Sequence, residues 1–276
     1  MGHSGLSRLT WAVCVAASTI VAAACGPKRL ALPTDQGAPL PDFQAVHDGV
    51  SRACRGARTL TAELGLRGHA GRTRLRGRVV AGFERPASMR LEGVAPFGSP
   101  AFILVARGGE ATLLLPRDER VVTGASPEDV LGALTGVSLA PADLHAMLTG
   151  CVVPDPKPIG GRLHAGGWAS IDLDGNAVLY LRRVNGGWQP QAATRTNWNV
   201  QYSMWQGDFP REVVLRSMAS GVDVELSASV GQLETNVPLD AAAFTVTVPP
   251  GTGRLSLAEL RDAGPLRDAS APKGGK

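Results

Sequence analysis

The residues that could do covalent or acid–base chemistry are few in this chain of 276 residues, and their spacing excludes the common catalytic designs. There is no Gly-x-Ser-x-Gly elbow, no His-Glu-x-x-His pair, no phosphate-binding loop and no Cys-x-x-Cys. His47, His69, His145 and His164 lie far apart and share no ligand spacing. An isolated histidine is more often packed or solvated than catalytic. Asp172-Leu173-Asp174-Gly175-Asn176 has the first positions of a calcium loop but lacks the later ligands and the closing glutamate, so it reads as a hairpin turn. The expectation is a protein that is not an enzyme and holds neither metal nor cofactor.

Cysteine chemistry remains. Cys25 follows Ala22-Ala23-Ala24, at the end of an apolar run from Leu9 to Ala24 that Arg8 precedes. A positive residue, a short alanine-rich apolar run and small residues before a cysteine make an export signal, too short for a comfortable membrane span. The cysteine is then placed to receive a diacylglyceryl group, although alanine stands three residues before it where leucine is usual. Residues 1–24 are thus expected to be a signal peptide, and 25–41 a lipidated Cys25 followed by a tether rich in proline (Pro27, Pro33, Pro39, Pro41). Gly26, in place of aspartate after the cysteine, points to the outer membrane under the enterobacterial sorting rule. Cys14 leaves with the signal. Cys54 and Cys151 remain in an oxidising compartment, either as a bridge between two helices or as two free thiols; the sequence leaves both open.

Two other groupings stand out. Period two along Arg72-Thr73-Arg74-Leu75-Arg76-Gly77-Arg78-Val79 puts Arg72, Arg74, Arg76 and Arg78 on one face of a strand. That face is either a solvated exterior or a cationic stripe for anionic headgroups or an acidic partner. No aromatics interleave it, which argues against single-stranded nucleic acid, and the net charge of +4 does not call for nucleic acid either. The second grouping is the turn Ala95-Pro96-Phe97-Gly98-Ser99-Pro100. Prolines and glycine suit a tight loop, but phenylalanine at its tip is either folded back into the core or waiting for an apolar partner.

The elements that position these residues follow from periodicity. Asp42 to Cys54 predicts an amphipathic helix with Phe43, Val46, Val50 and Ala53 on one side and Asp42 as cap. Strands follow from Thr59, with Leu60, Ala62, Leu64 and Leu66 on one face. Ser88 to Val94 and Pro100 to Ala106 flank the Phe97 turn, and Glu110–Leu115 and Arg120–Thr123 continue the meander. Ser126 caps a helix with Pro127 at its first position, Glu128 and Asp129 opposing its dipole, and Gly136 ending it. Pro141 opens another, with Leu144, Met147, Leu148 and Cys151 on one face. Both are too short to stand alone in water and must lie on the sheet. Asp174-Gly175 and Asn185-Gly186 mark hairpins, Ala243 to Pro249 reads as a last strand, and Ser256 with Glu259 forms a capping box for a closing helix. Many strands on hairpin turns without regularly alternating helices imply an antiparallel sheet, and a sheet this long must curl. About 220 residues, 42–263, suit one large domain, and 264–276 read as a disordered tail.

The stretch Arg90-Leu91 leading into Pro96-Phe97-Gly98-Ser99, then Pro127-Glu128-Asp129-Val130-Leu131-Gly132-Ala133-Leu134-Thr135-Gly136, Leu139-Ala140-Pro141-Ala142-Asp143-Leu144 and Leu148-Thr149-Gly150, resembles the LolB family of outer-membrane lipoprotein receptors. The resemblance implies a mainly β (α+β) fold: an unclosed antiparallel β-barrel with short helices covering an apolar concave face. It implies lipoprotein acyl chains as cargo, a LolA-like periplasmic carrier as donor, and a lipid-anchored position on the periplasmic side of the outer membrane. Phe97 stands where family members place a projecting leucine, and would insert into the bilayer. Apolar patterning makes Leu91, Phe102, Leu104, Leu131, Leu134, Leu144 and Leu148 the candidates for the acyl cavity. The chain departs from the family in its greater length, its glycine-rich region after Cys151, its tail and its Phe97. A non-enzymatic lipid or lipoprotein sensor, or an envelope assembly factor, on the same fold is the alternative. A lipid-acting envelope hydrolase would need a nucleophile and base brought together by the fold.

Overall fold

A computed structural model of the chain describes residues 30–152, 156–196, 198–217 and 223–267. The expected signal peptide, Cys25 and residues 268–276 lie outside them. The sheet begins with a two-residue strand β1 (Ala38–Pro39), followed by helix α1 (Phe43–Gly56). Six strands form the first meander: β2 (Thr59–Ala70), β3 (Thr73–Glu84), β4 (Ser88–Gly93), β5 (Phe102–Arg107), β6 (Glu110–Leu115) and β7 (Arg120–Ala125). Helices α2 (Pro127–Thr135) and α3 (Pro141–Leu148) follow it. A second meander follows: β8 (Pro158–His164), β9 (Trp168–Leu173), β10 (Ala177–Val184), β11 (Gly187–Arg195), β12 (Trp198–Ser203), β13 (Glu212–Ser217) and β14 (Val224–Thr235). The short strand β15 (Gly253–Arg254) and helix α4 (Leu257–Ala263) close the described chain.

All of these strands belong to one sheet of 15, ordered β1-β8-β9-β10-β11-β12-β13-β14-β2-β3-β4-β5-β6-β7-β15. The pairing of β14 with β2 fuses the two meanders, and among the described residues the only parallel pair is β7 with β15. The order does not return on itself: β1 and β15 are the two edges, so the barrel is unclosed as expected. Two-residue edge strands leave little unpaired backbone for another chain to extend.

Period two sets the inner face. Leu60, Ala62 and Leu64 of β2 are buried, as are Leu75, Val79, Ala81 and Phe83 of β3. Their register, with Leu64 opposite Val79 and Leu60 opposite Phe83, puts them on one side of the sheet. The hairpin signals act as read: Asn185 (φ 50) and Gly186 (φ 82) both have the positive φ of a two-residue turn between β10 and β11. Asp174 accepts a hydrogen bond from the Lys157 backbone N–H at 3.0 Å, so it ties a turn to the neighbouring strand. For α2, the Ser126 hydroxyl accepts from the Asp129 N–H at 3.1 Å, and Gly136 ends the helix at φ 82. The Ser256–Glu259 capping box of α4 is formed in both directions.

Four expectations need correction. Ala243 to Pro249 is not a strand: Asp240 accepts from the Ala242 N–H at 2.9 Å and winds Ala241–Phe244 into a 3-10 turn, after which Pro249 and Pro250 offer no N–H to a ladder. Asp42 precedes α1 without a side-chain cap, and the helix buries His47, Ser51 and Cys54 as well as resting Phe43, Val46 and Val50 on the core. The segment expected as a tether ends inside the fold, with Ala38 and Pro39 paired to β8 and Leu40 buried. The start of the expected tail packs too: Leu266 is buried, and its carbonyl accepts from the Arg76 N–H at 2.8 Å.

Candidate functional site

Between the inner face of the sheet and helices α2 and α3 lies a cavity of about 110 Å³. Leu64 and Leu66 of β2, with Leu75, Val79 and Phe83 of β3, form one wall. Val213 and Leu215 of β13 and Leu226 and Ala228 of β14 continue it, and Leu91 and Phe102 close the other side. Leu131 and Leu134 of α2, Leu144, Met147 and Leu148 of α3, and Leu139 between them form the roof. Leu266 closes the remaining side. Arg76 and Thr135 are the polar residues of this wall, and the Thr135 hydroxyl already donates to the Leu131 carbonyl at 2.8 Å. A wall so largely of hydrocarbon disfavours polar ligands and favours alkyl chains.

Of the expected cavity residues, the structure brings Leu91, Phe102, Leu131, Leu134, Leu144 and Leu148 together around this space. Leu104 is not on its wall. It shares a face with Leu91 and Phe102 but is paired on both sides, with Leu91 and Leu113, and is fully buried there. Sequence patterning missed the β2, β3, β13 and β14 contributions. Their alternation was visible, but nothing local says which face a long sheet turns inward. Leu266 carried no signal at all.

The roof is held by more than packing. Cys54 at the end of α1 and Cys151 after α3 are joined in a disulfide, with Cα atoms 6.1 Å apart. The Tyr202 hydroxyl donates to the Cys151 carbonyl at 3.0 Å from a fully buried position, and burial pushes its pKa up. His145 of α3 is buried with its ring edge-on to Phe83, centroids 6.1 Å apart. Desolvation, helped by the charge of Arg85, lowers its pKa to about 4; the nearby Ala57 carbonyl opposes this, but neither ring nitrogen makes a hydrogen bond of good geometry. Gly150 (φ 78) turns the chain after α3 where a Cβ would meet the Trp205 ring at 2.6 Å, so only glycine fits.

Phe97 is 87% exposed at the tip of the turn between β4 and β5, which settles that it is not folded into the hairpin. The turn is braced from beneath: the Arg117 guanidinium donates to the Ser99 carbonyl at 3.1 Å and to the Phe97 carbonyl. An apolar ring is thus displayed on a backbone held from the neighbouring β6–β7 turn.

One Ser–His–Asp series is present, formed by Ser170, His164 and Asp35. His164 Nε2 is 2.9 Å from the Ser170 hydroxyl and its Nδ1 is 3.2 Å from an Asp35 carboxylate oxygen. Ser170 alternates with Ala169 and Ile171, which face the core, so it points to the other side of the sheet from the cavity. It is buried there, and the series ties the segment before β1 to the sheet edge, where Arg162 also donates to the Gln36 carbonyl at 3.1 Å. None of its three residues lies on the wall of the apolar site. Among the described residues there is no cluster of metal-binding side chains, and no helix is long and apolar enough to cross a membrane.

No family model matches the chain, and no curated protein matches it. Solved structures do. The chain is similar to a DUF1329 family protein from Desulfovibrio piger ATCC 29098, with 11% identity and a TM-score of 0.48 over 75% of this chain and 97% of that one. It is similar to a LolA superfamily protein from Nitrosomonas europaea, with 11% identity and a TM-score of 0.48 over 74% of this chain and 97% of that one. LprF from Mycobacterium bovis is a further match, with 12% identity and a TM-score of 0.31 over 79% of this chain and 100% of that one.

Proposed function

We propose that this chain is a lipid-anchored periplasmic receptor that takes lipoprotein acyl chains into its apolar cavity and delivers them to the outer membrane. The observation that carries the reading is the cavity itself, walled by leucine, valine, methionine and phenylalanine under two short helices. Cys25 would hold the acyl anchor, a LolA-like carrier would supply the cargo, and Phe97 would enter the bilayer at release. The driving force is burial, at about 0.8 kcal/mol for each CH₂ removed from water. At about 110 Å³ the cavity is smaller than the ~150 Å³ that admits benzene, so a long chain enters as α2, α3 and Leu266 give way.

The test is transfer. The chain from Gly26 onward is mixed with a LolA-type carrier loaded with a labelled lipoprotein, and then with liposomes, beside Phe97→Glu. The label should pass from carrier to protein to liposome, and should stall before the last step in the variant. Uptake without release would favour a sensor on the same fold, and no uptake would sink the delivery reading.

A further inference from the structure

The outer face of the β2–β3 hairpin carries five arginines, Arg67, Arg72, Arg74, Arg76 and Arg78, all exposed. None of their guanidinium groups has a hydrogen-bond or ion-pair partner among the described residues, unlike Arg90, Arg120 and Arg216, which pair with Glu92, Glu259 and Glu225. The register concentrates them. Arg67 is directly opposite Arg76, His69 is opposite Arg74, and Arg78 is opposite Gly65, which has no side chain to separate it from Arg67. Like charges directly across a ladder destabilise a sheet. The nearby carboxylates do not relieve this: Asp223 faces His69 at 3.5 Å, Glu225 is held by Arg216, and Glu63 is exposed two positions beyond Gly65. Two shallow recesses open on this face. One, of about 340 Å³, lies over Gly65 between Arg67, Arg78 and Ser229; the other, of about 550 Å³, lies among Arg67, His69, Arg72, Arg74 and Arg76.

The location gives the patch a partner. Gly93 pairs with Val79, and the Val94 N–H donates to the Arg78 carbonyl at 2.8 Å. Because β4 is antiparallel to β3, the chain beyond Val94 runs toward the hairpin tip, so Phe97 leaves the sheet at the end where the arginines lie. Val80 and Val94, 45% and 41% exposed, connect the two and border the first recess. From Arg78 to Arg72 the stripe extends about 20 Å at strand spacing. An exposed aromatic beside a row of unneutralised guanidiniums is complementary to a bilayer surface: apolar below the headgroups, anionic at them. We propose that Arg67, Arg72, Arg74, Arg76 and Arg78 form a docking surface for anionic phospholipid headgroups, which orients the Phe97 turn toward the membrane. This deepens the receptor reading by adding a charge requirement to its membrane step.

The experiment uses the chain from Gly26 onward, so that binding does not come from the anchor, with vesicles of phosphatidylcholine alone or with phosphatidylglycerol as about a third of the lipid. Cosedimentation should favour the anionic vesicles and weaken as salt is raised. Each arginine near the surface contributes about five-fold, so R74Q/R76Q/R78Q should lose on the order of a hundred-fold, while the triple lysine variant stays within a few-fold. Equal binding to both vesicles, or an unchanged glutamine variant with native circular dichroism, would overturn the proposal. So would binding to soluble poly-glutamate as tight as to the anionic vesicles, which would make the patch a site for an acidic protein. Uptake of labelled palmitic acid is read on the same samples. Arginine-dependent vesicle binding without uptake sinks the receptor reading and leaves the patch standing; uptake without charge preference does the reverse.

Discussion

Replacing Ala228 by leucine separates a real cavity from a well-packed core, because the two give opposite signs. Ala228 lies on the cavity wall, with Leu66 opposite it on β2 and Val213 opposite it on β13. Leucine adds three carbons pointing into about 110 Å³ of empty space. At ~0.8 kcal/mol per buried carbon the gain is up to about 2.4 kcal/mol. For a domain of this size that raises Tm by roughly 5–10 °C. The same atoms occupy the space assigned to the acyl chain in the proposed function, so binding of labelled palmitic acid should fall while stability rises. Thermal melts followed by circular dichroism and a fluorescence titration on the same preparation read both. If the interior were already close-packed, the larger side chain would cost about 1–3 kcal/mol and Tm would fall, refuting the cavity. A raised Tm with unchanged palmitic acid binding would show that the chain enters elsewhere.

Three further outcomes follow from the roof and its closure. Reducing the Cys54–Cys151 bridge, or replacing both cysteines by alanine, frees a loop with a sequence separation of 97 and should lower stability by up to about 4–5 kcal/mol in urea unfolding, with the roof the first part to lose amide protection. The pKa of His145 is lowered in the folded state, to about 4 from 6.5, so its contribution is present above pH 6.5 and lost as pH falls from 6.5 toward 4. Some 3 kcal/mol is at stake, and urea midpoints at pH 7.5, 5.5 and 4.5 should fall less steeply in His145→Gln than in the wild type. Leu266→Ala removes a buried side chain from the cavity wall, so Tm should drop while palmitic acid binds more tightly; weaker binding would show that Leu266 supports the site instead of obstructing it.

Local chemistry was legible in the sequence wherever a few neighbouring residues decide the outcome. Ser126 with Asp129, Gly136, Asn185-Gly186 and Ser256 with Glu259 act within three or four residues, and each forms the cap or turn its spacing predicts. Period two placed the arginines of β3 on the face opposite Leu75 and Val79, and the hairpin register shows why no further pattern was needed. The strand reading of Ala243 to Pro249 failed because alternation was weighed without Asp240, whose side chain turns the backbone first. The candidate site was only partly legible for a different reason. Apolar patterning selects residues for burial, and burial does not distinguish Leu104, packed between two strands, from Leu91 beside it on the cavity wall. Which side of each strand faces the roof depends on the pairing of β14 with β2, between residues more than 150 positions apart for Ala228 and Leu66. The exposure of Phe97 depends on Arg117 bracing its turn from another hairpin, the closure by Leu266 on a strand near the other end of the domain, and the Cys54–Cys151 bond on two helices meeting. Each is a contact between segments distant in sequence, and only the folded chain sets their distance.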